Sequence, residues 1–282
     1  MTSRFRFRLA SASVTFSLTL ALAGCSDTFF AGPMSYIESE RLATELKDKP
    51  DLQKAVRKSV ADLFGPDPNH IKVPEGAGLP NGGIRLANFQ DNSGGQFTKR
   101  KRILVARTVG GQKVPEPQEG GYALYRKHCL HCHGVSGAGD GPTATFLYPR
   151  PRDYRKGLFK FTSTPTGAKP SREDLRKTIR YGLHGTSMPA FEALMSDPEI
   201  EQVLDYVIFL SYRGETELAL IDEAASTGEL TDETAADVAK SVFNKWKQAD
   251  GQVVDPPVAR TPSTPASVLR GRELFLGKTK EK

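Results

Sequence analysis

The stretch Cys129-Leu130-His131-Cys132-His133 places two thiols and an imidazole within five consecutive residues. In a helical conformation, the two thiols lie about one turn apart on one face. The whole chain holds three cysteines, too few for disulfides to be its main source of stability. The chemistry of this stretch therefore decides which fold the chain adopts.

Three kinds of site use a C-x-x-C sequence: covalent haem attachment, redox disulfides and structural zinc. A thioredoxin-like disulfide follows a buried strand, and no strand pattern precedes Cys129. A structural zinc site needs four ligands, and no second cysteine pair follows. The imidazole of His133 directly after Cys132 favours haem, because the thiols can add to the vinyl groups while the imidazole binds iron. The sequence thus predicts one covalent haem c, held by Cys129, Cys132 and His133.

Helical patterns surround this stretch over residues 120 to 213. A helix is predicted from Gly121 to Lys127, directly before the first thiol. Two pairs fit the capping box at a helix N-terminus, Ser171 with Asp174 and Ser196 with Glu199. Behind the second pair, apolar residues recur at helical spacing: Ile200, Val203, Leu204, Val207 and Ile208. Strand patterns are scarce, so the segment is predicted to be all-α.

On these residues the chain resembles a class I c-type cytochrome. The matching stretches are Cys129-Leu130-His131-Cys132-His133-Gly134, Gly139-Asp140-Gly141-Pro142, Gly185-Thr186-Ser187-Met188-Pro189 and the helix from about Asp197 to Tyr212. The resemblance covers residues 120 to 213 and implies a cytochrome c-like helical domain around a covalently bound haem. The layout also resembles exported dihaem cytochromes with a lipoprotein N-terminus, although this chain holds one C-x-x-C-H.

The resemblance also assigns roles around the iron. Met188, after a Gly-Thr-x run, corresponds to the distal axial ligand, opposite His133. The carbonyl of Pro142 corresponds to the acceptor for the second ring N–H of the histidine, a bond that fixes the tautomer. Both assignments are carried over from the family pattern.

Composition narrows the choice of distal ligand. Beyond the initiator, the methionines are Met34, Met188 and Met195. Met34 falls in the predicted tether, and Met195, which precedes a helix cap, is expected in the core or on the surface. Pro189 fixes the turn after Met188, which suits a rigid ligand loop. His184 remains the alternative, and a bis-His site would have the lower potential.

Basic and apolar residues predict the surroundings of the haem. Arg150 and Arg152 belong to a basic cluster, and we expect one or both to bind the haem propionates, because guanidinium groups form bidentate hydrogen bonds. The residues expected to pack on the macrocycle are Tyr125, Phe146, Leu158, Phe161, Ile179 and Phe191.

The N-terminus has the pattern of an exported lipoprotein. Arg4, Arg6 and Arg8 precede a run of apolar and small residues that is shorter than a membrane span. It ends in Leu22-Ala23-Gly24-Cys25, which resembles the bacterial lipoprotein box and implies lipidation of Cys25. Residues 1–24 are therefore predicted to be a signal peptide, and the protein to be lipid-anchored on the periplasmic side of a membrane. These arginines carry half of the net charge of +6, so a nucleic-acid partner is not expected.

Composition divides the rest of the chain. The predicted parts are a tether and extension (25–119), a cytochrome c domain (120–213), an acidic helical extension (214–250), a Pro-rich linker (251–270) and the possible start of a second, incomplete cytochrome-like domain (271–282). The first part is expected to be less regular, with a helical pattern from Tyr36 to Phe64 interrupted by Pro50, and one strand from Arg102 to Thr108. In the acidic extension a helix is predicted from about Thr231 to Lys247.

These features predict a function in electron transfer. Iron bound by both His133 and Met188 has no open position, so we expect single-electron transfer between redox partner proteins and no enzymatic activity. The alternatives are a haem enzyme with a labile distal methionine, of the peroxidase type, or a cytochrome subunit of a periplasmic dehydrogenase complex. Thirteen Lys and Arg against nine Asp and Glu in residues 120–213 favour acidic partners.

Overall fold

The computed structural model describes residues 34–79, 103–109, 112–118, 120–255 and 261–278. The predicted signal peptide and Cys25 lie outside these residues. Those described belong to one unit, Met34–Lys282. Its elements are α1 (Glu40–Glu45), α2 (Pro50–Phe64), β1 (Ile103–Val109), β2 (Gln112–Gln118), α3 (Gly121–His128), α4 (Leu130–His133), α5 (Arg172–Tyr181), α6 (Asp197–Thr227), α7 (Asp232–Lys247) and α8 (Pro265–Phe275).

Helix α6 is the central element of the fold. It begins at the predicted capping box of Ser196 and Glu199 and ends at Gly228, whose backbone is left-handed with a φ of 78°. Helices α1, α2, α3, α5 and α7 all pack against it. The helix continues through Arg213 without a break, so the predicted boundary between residues 213 and 214 does not separate two structural domains.

The contact between α3 and α6 positions the first thiol. A Cβ atom on Gly121 would lie 2.2 Å from the carbonyl oxygen of Gln202, so only glycine allows this close approach. Beside it, the buried ring of Tyr206 lies 5.4 Å from Tyr122 and 5.0 Å from Tyr125, measured between centroids. Aromatic packing on α6 therefore fixes the helix that leads into Cys129.

Helix α2 joins the N-terminal extension to the same core. Its buried face includes Val56, Val60 and Phe64, and the helix ends at Gly65, as the apolar spacing predicts. The ring of Phe64 contacts Phe209 of α6 at 5.8 Å and Phe243 of α7 at 6.2 Å. The predicted interruption at Pro50 is confirmed, since that proline begins α2 and α1 ends before it.

An antiparallel hairpin precedes the helical segment. The predicted strand from Arg102 to Thr108 corresponds to β1, which pairs with β2 from Ile103 opposite Gln118 to Val109 opposite Gln112. The second strand was not predicted, because Pro115 and Pro117 remove backbone donors and argue against a strand. The hairpin lies before residue 120, and the predicted all-α fold of the cytochrome c-like domain is confirmed.

The C-terminal helices follow the sequence pattern. Helix α7 agrees with the predicted helix, and the side chain of Thr231 caps its N-terminus. Helix α8 lies within the predicted linker and start of a second domain, and none of its residues is buried. Within the described ranges, no helix combines the length and apolar character that crossing a membrane requires.

Candidate functional site

The two motif thiols lie where α3 passes into α4. The backbone N–H of Cys129 donates to the carbonyl of Tyr125 at 2.8 Å, and the N–H of His133 donates to the carbonyl of Cys129 at 2.9 Å. Cys129 is buried, Cys132 is half-buried, and both are free thiols. The helical turn therefore brings the three predicted attachment and ligand residues together.

The imidazole of His133 is held by a backbone carbonyl. Its Nδ1 lies 3.2 Å from the carbonyl oxygen of Arg152. A carbonyl only accepts hydrogen bonds, so Nδ1 carries the proton and Nε2 keeps its lone pair. Burial lowers the pKa of His133 to about 4, although the bond to the Arg152 carbonyl opposes this shift. The ring is thus neutral at pH 7, the form that ligates metal ions.

A second residue of the same loop fixes the plane of this imidazole. The ring of Tyr154 stacks on His133 with 4.6 Å between centroids and 21° between planes. The N–H of Tyr154 donates to the carbonyl of Gly137 at 2.6 Å. A Cβ atom on Gly137 would lie 2.6 Å from the Tyr154 ring, so the ring packs directly on the backbone of this glycine and a larger residue would not fit here.

The prediction for Pro142 is wrong, because the acceptor for His133 is the carbonyl of Arg152. The turn that contains Pro142 faces the backbone of α4 instead: Gly141 N–H donates to the carbonyl of Cys132 at 3.1 Å, and Thr143 N–H donates to that of His131 at 3.0 Å. The turn therefore supports the main chain of the motif and leaves the ring to another loop.

Sequence reasoning missed the contributions of the Arg152 carbonyl and of Tyr154. The available signal was the pair Pro149 and Pro151 just before Arg152. A proline favours an extended backbone in the residue before it, and an extended segment leaves its carbonyl groups free to accept hydrogen bonds from elsewhere. The predicted propionate contacts of Arg150 and Arg152 stay predictions. The side chain of Arg150 is exposed and that of Arg152 is half-buried.

Met188 lies on a tight loop between α5 and α6. Its N–H donates to Oγ1 of Thr186 at 3.1 Å, and its carbonyl accepts the N–H of Leu183 at 3.1 Å. Gly182, with a φ of 66°, approaches this carbonyl so closely that its own Cβ would lie 2.6 Å away. The backbone around the half-buried Met188 is therefore well fixed, as a ligand loop requires.

The other candidate ligands are placed differently. Met195 is buried, and buried Met34 accepts a hydrogen bond from the hydroxyl of Tyr122 at 3.6 Å. His184 is exposed. Because packing occupies the other two methionines, the structure favours Met188 among the thioethers, and its ligation of iron stays a prediction.

The predicted apolar contacts fall into two groups. Tyr125, Ile179 and Phe191 are buried, and the hydroxyl of Tyr125 donates to the carbonyl of Gly134 at 2.8 Å. Phe146, Leu158 and Phe161 are largely exposed, Phe146 at 86%. Exposed large apolar side chains are a surface on which an apolar ligand can bind.

The donor set fits haem c better than zinc or a redox disulfide. Burial raises the pKa of Cys129 to about 12, and the neighbouring Cys132 adds to the shift. The thiol is therefore protonated at neutral pH, which disfavours disulfide exchange because exchange needs a thiolate. In the described part of the chain, no group of three or more His, Cys, Asp or Glu side chains is placed to hold a metal ion. Two thiols and one neutral imidazole are the groups that attach and ligate haem c.

The helical fold and the two thiols beside an imidazole resemble a c-type cytochrome domain. Residues 116–207 match the family model described as "Cytochrome C oxidase, cbb3-type, subunit III". This match covers about a third of the chain and supports a c-type cytochrome, with a covalently bound haem c and haem-based electron transfer.

A solved chain of a reducing HAO-like protein complex from Kuenenia stuttgartiensis is 25% identical, with a TM-score of 0.37. That match covers 56% of this chain and 57% of the other. No curated protein matches the chain.

Proposed function

We propose that the protein is an exported, membrane-anchored cytochrome that transfers single electrons through one haem c. Cys129 and Cys132 would attach the group, and His133 and Met188 would ligate its iron. When bound, haem c supplies reversible one-electron chemistry. The observation that carries the proposal is the buried, neutral imidazole of His133 beside two free thiols, with Nδ1 bonded to the Arg152 carbonyl.

The residues around the group would favour electron transfer over catalysis. A hydrogen bond from Nδ1 to a carbonyl strengthens the imidazole as a ligand and fixes its orientation. The fixed backbone around Met188 would present its thioether as a second protein ligand to the iron. With His133 and Met188 both bound, the iron would have no position left for a substrate. The excess of basic residues in 120–213 supports redox partners with acidic surfaces.

Replacing Met188 with alanine tests the ligand set. In oxidised Met188→Ala we expect the sulfur-to-iron charge-transfer band of the wild type to be lost completely, because alanine offers no thioether. The measurement is the optical spectrum of the purified, oxidised protein.

The matched control is Met195→Ala, which removes a buried methionine just before the N-cap of α6. It should keep the band while losing about 2–5 kcal/mol of stability as a core truncation. A band that survives in Met188→Ala contradicts His/Met ligation. A wild-type spectrum of the five-coordinate, high-spin type favours the enzymatic alternative with a labile methionine.

The anchor is tested separately at Cys25. We expect Cys25→Ser to move the protein from the membrane fraction to the soluble fraction, because serine cannot receive the diacylglyceryl group through a thioether. The neighbouring variant Ser26→Ala should stay with the membranes. Equal partitioning of Cys25→Ser and wild type, measured by immunoblot after fractionation, counts against a lipid anchor at this residue.

A further inference from the structure

A continuous stack of four rings links the candidate iron ligand to the acidic extension. We call it the aromatic column, made of His133, Tyr154, Phe159 and Trp246. Tyr154 lies 4.6 Å from the imidazole, and Phe159 lies 5.8 Å from Tyr154 with 14° between planes. Trp246 of α7 meets Phe159 edge to face at 6.0 Å. The last ring of the column thus belongs to a helix that follows the matched family segment.

Polar contacts hold Trp246 at its place in the column. Its indole N–H donates to Oε1 of Glu215 at 2.7 Å. Nζ of Lys169 forms an ion pair with the same carboxylate and lies 5.8 Å from the indole centroid. Lys169 also donates to the carbonyl of Gly157 at 3.3 Å. The indole is therefore fixed both to α6 and to the loop that carries Tyr154.

That loop packs directly on the second half of α6. A Cβ atom on Gly157 would lie 1.8 Å from Oε1 of Glu215, and one on Gly214 would lie 2.4 Å from Cα of Arg155. Two glycines on opposite sides of the contact thus bring the backbones together. Through these contacts, Trp246 and the turn of α6 around Glu215 adjoin residues 152–159, which hold the imidazole through a carbonyl and a ring.

We propose that Trp246 is a positioning residue for His133, acting through Phe159 and Tyr154. The indole of Trp246 thereby sets the strength of the bond between Nδ1 and the Arg152 carbonyl. This inference rests on the proposed function, since it requires His133 to ligate iron. A carbonyl acceptor raises the basicity of the imidazole and stabilises oxidised iron. A change in the aromatic column that weakens the hydrogen bond from Nδ1 to the Arg152 carbonyl therefore raises the reduction potential.

The test compares Trp246→Leu with Phe243→Leu in the haem-loaded protein. Phe243 is a buried aromatic residue of the same helix that contacts Tyr212 and Phe64, and it lies outside the column. Two readouts are measured, the midpoint potential and the exchange rate of the His133 Nδ1 proton by NMR. We expect Trp246→Leu to raise the potential and to speed proton exchange at least tenfold. Phe243→Leu should lose similar stability and leave both readouts unchanged.

Two milder variants keep the test decisive if Trp246→Leu does not fold. Phe159→Leu interrupts the column at a half-buried residue and should reproduce both changes. Trp246→Phe keeps an aromatic ring on Phe159 and should restore most of the wild-type behaviour. The inference is overturned if Trp246→Leu, or in its place Phe159→Leu, matches Phe243→Leu in both readouts.

Covalent haem content, measured first by the pyridine haemochrome method, separates the two claims. A wild-type protein without covalent haem overturns the proposed function, and this inference with it. A normal haem content combined with unchanged potential and exchange in the column variants overturns the positioning role alone.

Discussion

The double variant Cys129→Ser/Cys132→Ser is expected to lose all covalently bound haem. Serine has the size of cysteine but forms no thioether, so any haem that binds is held by non-covalent contacts. After denaturation and extraction with acidified acetone, the haem of the wild type should stay with the polypeptide. The haem of the variant should pass entirely into the solvent, which an absorbance spectrum of each fraction measures.

The control lies within the same five residues. His131 is half-exposed and occupies an x position of the motif, so His131→Ala should keep its haem through extraction. Haem that stays on the double-serine polypeptide, or a wild type that is colourless after expression with a haem-attachment system, contradicts attachment at these thiols.

The second large effect is expected at the ion pair of Lys169 and Glu215. Their side chains are 10% and 11% exposed, and Glu215 also accepts the indole N–H of Trp246. Glu215→Gln leaves the ammonium group of Lys169 buried without its counter-charge. Removing one partner of a buried ion pair costs about 3–5 kcal/mol. Urea denaturation followed by circular dichroism measures this loss.

An exposed ion pair on the same helix gives the matched comparison. Asp222 pairs with Arg41, and these side chains are 60% and 40% exposed. Asp222→Asn should cost about 1 kcal/mol or less, because solvent screens the pair. If Glu215→Gln and Asp222→Asn lose the same free energy of unfolding, solvent screens the buried pair as effectively as the exposed one. That result would contradict this prediction.

Features determined by a few neighbouring residues were predictable from the sequence. The capping boxes at Ser171 and Ser196 place the starts of α5 and α6 correctly, because a cap involves residues only three positions apart. The C-x-x-C-H spacing likewise places two thiols and an imidazole on one helical turn. Local chemistry thus identified the centre of the candidate site.

Features that depend on distant contacts were not predictable in this way. The carbonyl that holds His133 comes from Arg152, 19 positions later in the chain. The sequence around either residue does not show which loop lies beside the imidazole ring. Pro142 was predicted because it occupies the family position in a single motif. The choice between two loops is made by tertiary packing, here by Tyr154 against Gly137.

The acidic composition after residue 213 also led to an incorrect boundary. Glu215 and Glu217 were interpreted as part of an acidic extension, yet both are largely buried in α6. Arg213 lies 3.7 Å from Glu217 and 4.1 Å from the ring of Tyr36. The number of charged residues in a segment does not show which of them have partners inside the protein. The predicted boundary therefore fell within the continuous helix α6.

The continuity of α6 has a consequence for how the gene can be divided. A truncated product ending at residue 213 would cut the helix in its middle and leave its last carbonyl groups without backbone N–H donors along the chain. It would also remove Glu217, which accepts the N–H of Ser39 at 2.9 Å, and the apolar residues Leu220 and Ile221, which are fully buried. Recombination that moves this module into another protein must therefore carry the coding sequence at least through the end of α6 at Thr227.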